Sequence, residues 1–258
     1  MKDKTCILFC RCGANVISGD KSNEIESLIR RLDTRVFELS DLCAFSVKEK
    51  DFLADVIKNF TRRIVIACYP RAVKNMILQA GFEYDGFETI SFKEHSAGQI
   101  FQKIKEISDI DDGEADYDIL KSELNVPAWY PVVDKSLCIL CGKCARFCLF
   151  GVYSFNGKNL EVINPLSCKN NCPACGRTCP TSAIIFPRMV EKTTLAGAEP
   201  GAESGTSGKV DGKGDLLVML NERNLSRRSI FRDNLVQQAT DERRKALEEL
   251  KHSLDKKK

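Results

Sequence analysis

Thirteen cysteines are the residues best suited to chemistry in this 258-residue chain, and eight of them fall between Cys138 and Cys179. They run Cys138-Ile-Leu-Cys141-Gly-Lys-Cys144-Ala-Arg-Phe-Cys148 and, after a spacer, Cys168-Lys-Asn-Asn-Cys172-Pro-Ala-Cys175-Gly-Arg-Thr-Cys179-Pro180. Structural zinc sites usually draw pairs of cysteines from separate knuckles. A third Cys two residues beyond a pair instead lets three thiolates of one loop cap one face of a cubane, with the fourth ligand arriving from elsewhere. Two such triplets, each trailed by a fourth Cys, form the ligand pattern of paired 4Fe-4S clusters in which the fourth Cys crosses to the other cluster. The spacing assigns Cys138, Cys141, Cys144 and Cys179 to one cluster and Cys168, Cys172, Cys175 and Cys148 to the other. Gly142 and Gly176 relax the loops so that backbone amides can face the cluster's negative charge.

Four further cysteines are scattered in sequence but share a structural context. Strand-like runs Thr5 to Cys10, Arg35 to Leu39, Arg63 to Ala67 and Glu88 to Phe92 alternate with helix-like runs Asn23 to Leu32, Val47 to Phe60, Ala72 to Ala80 and Ala97 to Ile107. Ile7-Leu8-Phe9 and Ile64-Val65-Ile66 are continuously apolar, as strands covered on both faces are. This alternation predicts an α/β domain over 1–107 with a small parallel sheet, whose strands all end at one edge. Cys10 and Cys12 close the first strand, Cys43 lies in the loop after the second, and Cys68 follows the third. The four thiols therefore meet at one rim, as a third iron–sulfur cluster or another thiolate metal site; zinc has the same ligand taste, and buried cysteines can also serve as small hydrophobes. Cys6 belongs to the core, and His95 to the rim without a ligand role.

The motifs Ile7-Leu8-Phe9-Cys10-Arg11-Cys12-Gly13, Asp41-Leu42-Cys43, Val65-Ile66-Ala67-Cys68-Tyr69-Pro70-Arg71 and Phe92-Lys93-Glu94-His95-Ser96 resemble the N-terminal domain of the heterodisulfide reductase A family, over about residues 5–107. The resemblance implies iron–sulfur binding through loop cysteines. Tyr69 replaces the family's usual Ser, and Ser96 stands where many relatives carry another Cys, so a ligand set needing that thiol is not present. Residues 131–190 resemble the bacterial two-cluster ferredoxin family, with Leu149 in place of the usual Pro and one extra residue between Cys168 and Cys172. The implied second unit is an α+β ferredoxin-like domain. Within it Val152 to Phe155, Asn156-Gly157 and Leu160 to Ile163 read as a hairpin with a type I′ turn.

The remaining segments connect and extend these units. Residues 108–130 are acidic and aperiodic, the pattern of a solvated linker, and the only Trp, Trp129, is expected to pack between the units. Residues 191–215 read as a flexible linker rich in Gly, Ser, Ala and Glu. Residues 216–258 read as a helical tail carrying Leu216 to Leu220, a cap at Ser226 and a partial stripe of Leu235, Ala239, Ala246, Leu247, Leu250 and Leu254. This C-terminal helix is expected to contact a partner subunit, with Arg223, Arg227, Arg228 and Arg232 facing solvent or an acidic partner.

A net charge of +3 does not suggest nucleic acid as partner, and no apolar run is long enough for membrane insertion. Met1-Lys2-Asp3-Lys4 leads into an apolar run that Arg11 interrupts, unlike a signal peptide, so a reducing, cytoplasmic setting is expected, where close cysteines are metal ligands or redox groups. No flavin or nicotinamide site is expected, because no Gly-x-Gly-x-x-Gly follows a strand. The heterodisulfide reductase A family carries a flavin-binding domain between regions like the two present here, which implies a flavoprotein among redox partner subunits. The resulting expectation is a non-catalytic electron-transfer subunit or adaptor of a heterodisulfide-reductase-like, flavin-dependent complex. The alternatives are an enzyme that binds substrate at the N-terminal metal site, and a redox-sensing or scaffold protein.

Overall fold

Strand β1 (Thr5–Cys10) holds Cys6, Ile7, Leu8 and Phe9 at no more than 1% exposure, and it occupies the centre of a five-stranded parallel sheet. It pairs with β2 (Arg35–Leu39) on one side and β3 (Arg62–Ala67) on the other; β4 (Phe87–Ser91) pairs with β3, and β5 (Asp116–Leu120) with β2. The crossovers carry helices α1 (Gly19–Ile29), α2 (Leu42–Phe45), α3 (Lys50–Ile57), α4 (Pro70–Gln79) and α5 (Ala97–Ile107). The structure, a computed structural model, describes residues 4–13, 16–124, 126–200, 234–249 and 251–252.

The chain steps from β1 to β2 and then returns across β1 to β3. The carboxyl ends of β1 and β3 therefore border the crevice where such sheets collect ligands. Helix starts are locally encoded: Pro70 opens α4, and Ser96 and Gln99 form a reciprocal capping box on α5. Gly81, at φ +97°, follows α4 as a left-handed C′ residue. The helix expected over Val47 to Phe60 is shorter and preceded by a separate turn, α2, because the Asp41 carboxylate accepts from the Cys43 amide and caps it independently.

Two expectations fail on the connectors. Residues 116–120, expected inside a solvated acidic linker over 108–130, form the edge strand β5. Acidic residues obscured the strand pattern; Arg35 pairs with both Asp116 and Asp118, and Arg30 stacks 3.8 Å from the Tyr117 ring centroid. Residues 191–200, expected to start a flexible linker, instead pack down: Leu195 O accepts from the Phe186 amide at 2.7 Å, and Ala196 is fully buried. The later linker to 215, Leu216 to Leu220, Arg223, Ser226, Arg227, Arg228, Arg232, Leu250 and Leu254 lie outside the described residues.

The second unit consists of β6 (Val132–Val133), α6 (Lys143–Phe147), β7 (Tyr153–Phe155), β8 (Leu160–Val162), α7 (Ala174–Arg177) and β9 (Ile184–Ile185). β6 pairs antiparallel with β9, and β7 with β8. The hairpin is not type I′: Phe155 faces Leu160, and the Asn156 side chain accepts from the Lys158 and Asn159 amides across a four-residue loop. Only Gly157 of Asn156-Gly157 has positive φ, whereas a type I′ turn needs both.

One buried apolar cluster runs from the parallel sheet into Val132, Val133, Ile184, Ile185 and Phe186. Trp129 stacks on Phe186 with centroids 5.2 Å apart, packing between the units as expected. Helix α8, over 234–249, folds back onto the second unit. Its alanines Ala239 and Ala246 are buried, Leu235 and Leu247 are each 40% exposed, and Glu242 and Glu249 reach Arg177 and Lys169. Small residues let the helix approach the second unit closely, while Leu235 and Leu247 stay on its exposed face. Among the described residues no helix is long and apolar enough to cross a membrane.

Candidate iron–sulfur sites

The loop Cys138 to Cys144 turns sharply through Leu140 and Gly142, both in the left-handed region, and leads into α6. α6 ends at Cys148, whose amide bonds back to Cys144 O. Cys148 thus stands at the C-terminal end of α6, one helical turn beyond Cys144. Burial pushes the Cys144 thiol up to about 12, with further upward pressure from Cys179, Cys138 and Cys141 and relief from the Ala145 amide. Cys179 is thus a neighbour of Cys144, and the Ala183 amide donates to its sulfur at 3.2 Å.

The other group is Cys148 with Cys168, Cys172 and Cys175. Burial raises Cys168, and the neighbouring Cys172 and Cys148 raise it further. Cys175 is also raised chiefly by burial, then by Cys168, Cys148 and Cys144, against a lowering hydrogen bond from Tyr153, whose hydroxyl lies 3.1 Å from its sulfur. Cys144 and Cys175 thus bring the two groups into electrostatic contact. Cys172 is raised by burial and lowered by the Ala174 amide; Glu242 of α8 raises it too. Asn171, before Cys172, is left-handed like Leu140.

The third group lies at the carboxyl edge of the sheet. Burial raises Cys10, Cys43 and Cys68, the last to about 12, and mutual influence among these thiols and Cys12 adds to it. All four are buried, and Cys12 adopts φ +52°, an uncommon conformation for a residue with a side chain. The Leu42 amide approaches Cys10 Sγ at 3.4 Å. Asp41 also raises Cys10 and Cys43, while its carboxylate accepts from the amides of Cys43 and Ala128. Tyr130 donates its hydroxyl to Cys43 O at 3.0 Å. Cys6, at the far end of β1, is core and is pushed up to about 12 by burial.

Sequence reasoning missed the cations of this third group. Lys93 is lowered mainly by burial and raised by Cys68, Cys12 and Cys43; its Nζ donates to Met189 O at 2.6 Å. Arg188, 6% exposed, donates from Nη1 to Ala128 O at 2.9 Å and stands 3.6 Å from Asp41. Neither belongs to a spacing pattern, so only folding reveals them. His95 is half-buried, and its amide bonds Ser91 O. Among the described residues no three His, Cys, Asp or Glu side chains close round a single-ion position.

The donor chemistry suits iron–sulfur groups. Soft thiols influence one another, amides of Leu42 and Ala183 point at sulfur, and left-handed backbone opens the loops. Thiols raised by burial become thiolates when iron supplies compensating charge.

Comparison with known proteins decides one of these segments. Residues 131–151 match the 4Fe-4S binding domain family. The chain carries a ferredoxin-type iron–sulfur segment. A stretch of 61 residues, 23% of the chain, is 44% identical to an uncharacterized ferredoxin of Methanocaldococcus jannaschii and covers 42% of that protein's length. The ferredoxin segment thus rests on α6 and on β6, which ties it to the parallel sheet through α4.

Proposed function

We propose that the protein is an iron–sulfur electron carrier holding two 4Fe-4S clusters in its ferredoxin-like unit and a third at the sheet edge. Cys138, Cys141, Cys144 and Cys179 hold the first, Cys168, Cys172, Cys175 and Cys148 the second, and Cys10, Cys12, Cys43 and Cys68 the third. The observation that carries this reading is that Cys179 acts on Cys144 of the first run while Cys148 acts on Cys168 and Cys175 of the second, the pattern of an exchange of fourth ligands. That exchange is what paired cubanes require. The match of residues 131–151 and the similarity to a ferredoxin support the same chemistry.

Bound clusters would accept and release single electrons. The chain's own residues then do three things. Amides of Leu42 and Ala183 and the Tyr153 hydroxyl stabilise sulfur charge. Burial excludes water from Cys10, Cys12, Cys43, Cys68, Cys144 and Cys175. The Trp129–Phe186 stack fills the space between the sheet edge and the ferredoxin unit. The carrier acts as a subunit or adaptor of a heterodisulfide-reductase-like complex whose flavoprotein is a separate chain. A complete set of four thiols at the sheet edge disfavours direct substrate binding to iron there.

The test is anaerobic iron and sulfide analysis with EPR on wild type and a Cys43→Ser, Cys68→Ser variant. About twelve irons per chain falling to about eight supports the reading. About eight in both proteins sinks the third cluster.

A further inference from the structure

A buried cation supplied by the segment after β9, Arg188, lines a small cavity together with one of the sheet-edge thiols, Cys43. Arg188 is 6% exposed, yet its Nε and Nη2 have no hydrogen-bond partner among the described residues. Its third guanidinium nitrogen, Nη1, bonds Ala128 O and stands 3.6 Å from Asp41 Oδ2. Nη2 overlies the backbone that follows Cys12: a Cβ built on Gly13 would stand 3.6 Å from it. Arg188 and Cys43 line the same small cavity, closed by Ala128, Trp129, Tyr130 and Phe186.

A guanidinium stays charged and offers five donors in a fixed fork. Burying such a group with two nitrogens unsatisfied is costly unless an anion meets them. Asp41 already accepts from the amides of Cys43 and Ala128, and its ion pair at 3.6 Å is with Nη1, not with Nε or Nη2. The remaining anion that this chemistry suggests is a thiolate-ligated cluster.

We propose that Arg188 serves the sheet-edge cluster directly, its Nε and Nη2 donating hydrogen bonds to cluster or thiolate sulfur and so raising the reduction potential. The proposal rests on the third cluster described under Proposed function. One-electron reduction adds one negative charge to the cluster, and a fixed positive charge beside it favours that reduced form. The ferredoxin unit, which supplies Arg188, thereby sets the potential of a cluster held by the other unit.

The test uses the full chain, reconstituted anaerobically and titrated with dithionite while each cluster is followed by EPR, in wild type, Arg188→Met and Arg188→Lys. Wild type and both variants are expected to hold about twelve irons per chain. In Arg188→Met one midpoint falls, by about tenfold in the one-electron equilibrium or about 59 mV, and the other two stay. Arg188→Lys, which keeps charge but loses the fork, falls by less. About eight irons in wild type overturns the third cluster and this proposal together. Twelve irons with all midpoints unmoved in Arg188→Met overturns this proposal alone, leaving Arg188 a structural tie to Ala128. If Arg188→Met loses iron, Arg188→Lys decides: a lowered midpoint supports the role, and an unmoved one overturns it.

Discussion

Arg71 in α4 donates from Nε to Asp134 Oδ2 at 2.7 Å, with side chains only 4% and 7% exposed. The same guanidinium donates to Ser182 O at 2.7 Å and to Thr194 O at 3.0 Å. One side chain of the parallel-sheet unit thus satisfies two segments of the ferredoxin unit and the strap that follows it. Removing one partner of a buried pair leaves an uncompensated charge, which costs about 3–5 kcal/mol. Arg71→Met is expected to lower stability by about that much in urea unfolding, and Arg71→Met with Asp134→Leu by less. A loss no larger than a surface substitution's would show that the units do not depend on this tie.

The same pair predicts a pH dependence. Burial pushes Asp134 up, but hydrogen bonds from Ser136 and Arg71 outweigh it, and the carboxyl lies below its usual range. A carboxyl lowered on folding adds stability that is present above the unfolded value of about 3.9 and lost as pH falls through the folded value. Wild type should therefore lose stability in the acid range below about pH 4, and Asp134→Asn should flatten that limb. Parallel limbs in the two proteins would remove Asp134 from the acid transition.

Tyr153 places its hydroxyl 3.1 Å from Cys175 Sγ. Burial, then the adjacent Cys175, keeps the phenol well above its ordinary range, so it remains a donor. Tyr153→Phe removes one hydrogen bond to sulfur and little volume. Iron content should hold while one ferredoxin midpoint moves to lower potential, read by EPR-monitored titration. An unchanged midpoint would make the contact packing only.

Gly142 sits at φ +66° at the start of α6, and a Cβ there would fall 2.2 Å from Phe155 Cε1. Gly142→Ala meets both a left-handed penalty of about 1–2 kcal/mol and a ring that must shift. Reconstituted iron should fall, with partial recovery when Phe155 is also changed to Leu. Equal iron loading in Gly142→Ala and wild type would show that the loop has room to spare.

The cysteine runs and the β1 to α5 alternation were legible because both obey fixed periods: ligand spacing in one case, apolar strands between helices in the other. β1, β2 and α5 fall where the pattern put them. β5 was hidden because its backbone ladder with β2, not apolar alternation, holds it, and its acidic side chains find Arg35 only after folding. Arg188 and Lys93 were hidden for a related reason. A lone cation carries no spacing signal, and its meaning depends on which chain segment folds over the thiols. The strap over 191–200 reads as linker by composition, yet Gly197 is needed there, because a Cβ would lie 2.6 Å from Ala72 Cβ.

Helix α8 covers the second ferredoxin group. Arg243 lies 5.1 Å over the Phe147 ring, Glu242 meets Arg177 at 3.0 Å, and Ala246 shares an apolar recess with Cys148, Cys168 and Cys172. The surface pairs contribute little by themselves, about 0–1 kcal/mol each. Burial of Ala239 and Ala246 fixes the approach, so one charge placed there should release the helix. Ala246→Asp, or a chain ending at Pro200, is expected to leave iron content intact under argon. In air, iron should leave one cluster several-fold faster than in wild type, because oxygen and water reach Cys148 and Cys172 more easily. Iron-release traces under air that superimpose on wild type would show that α8 does not shield the cluster, and would return the helix to a role in binding a partner.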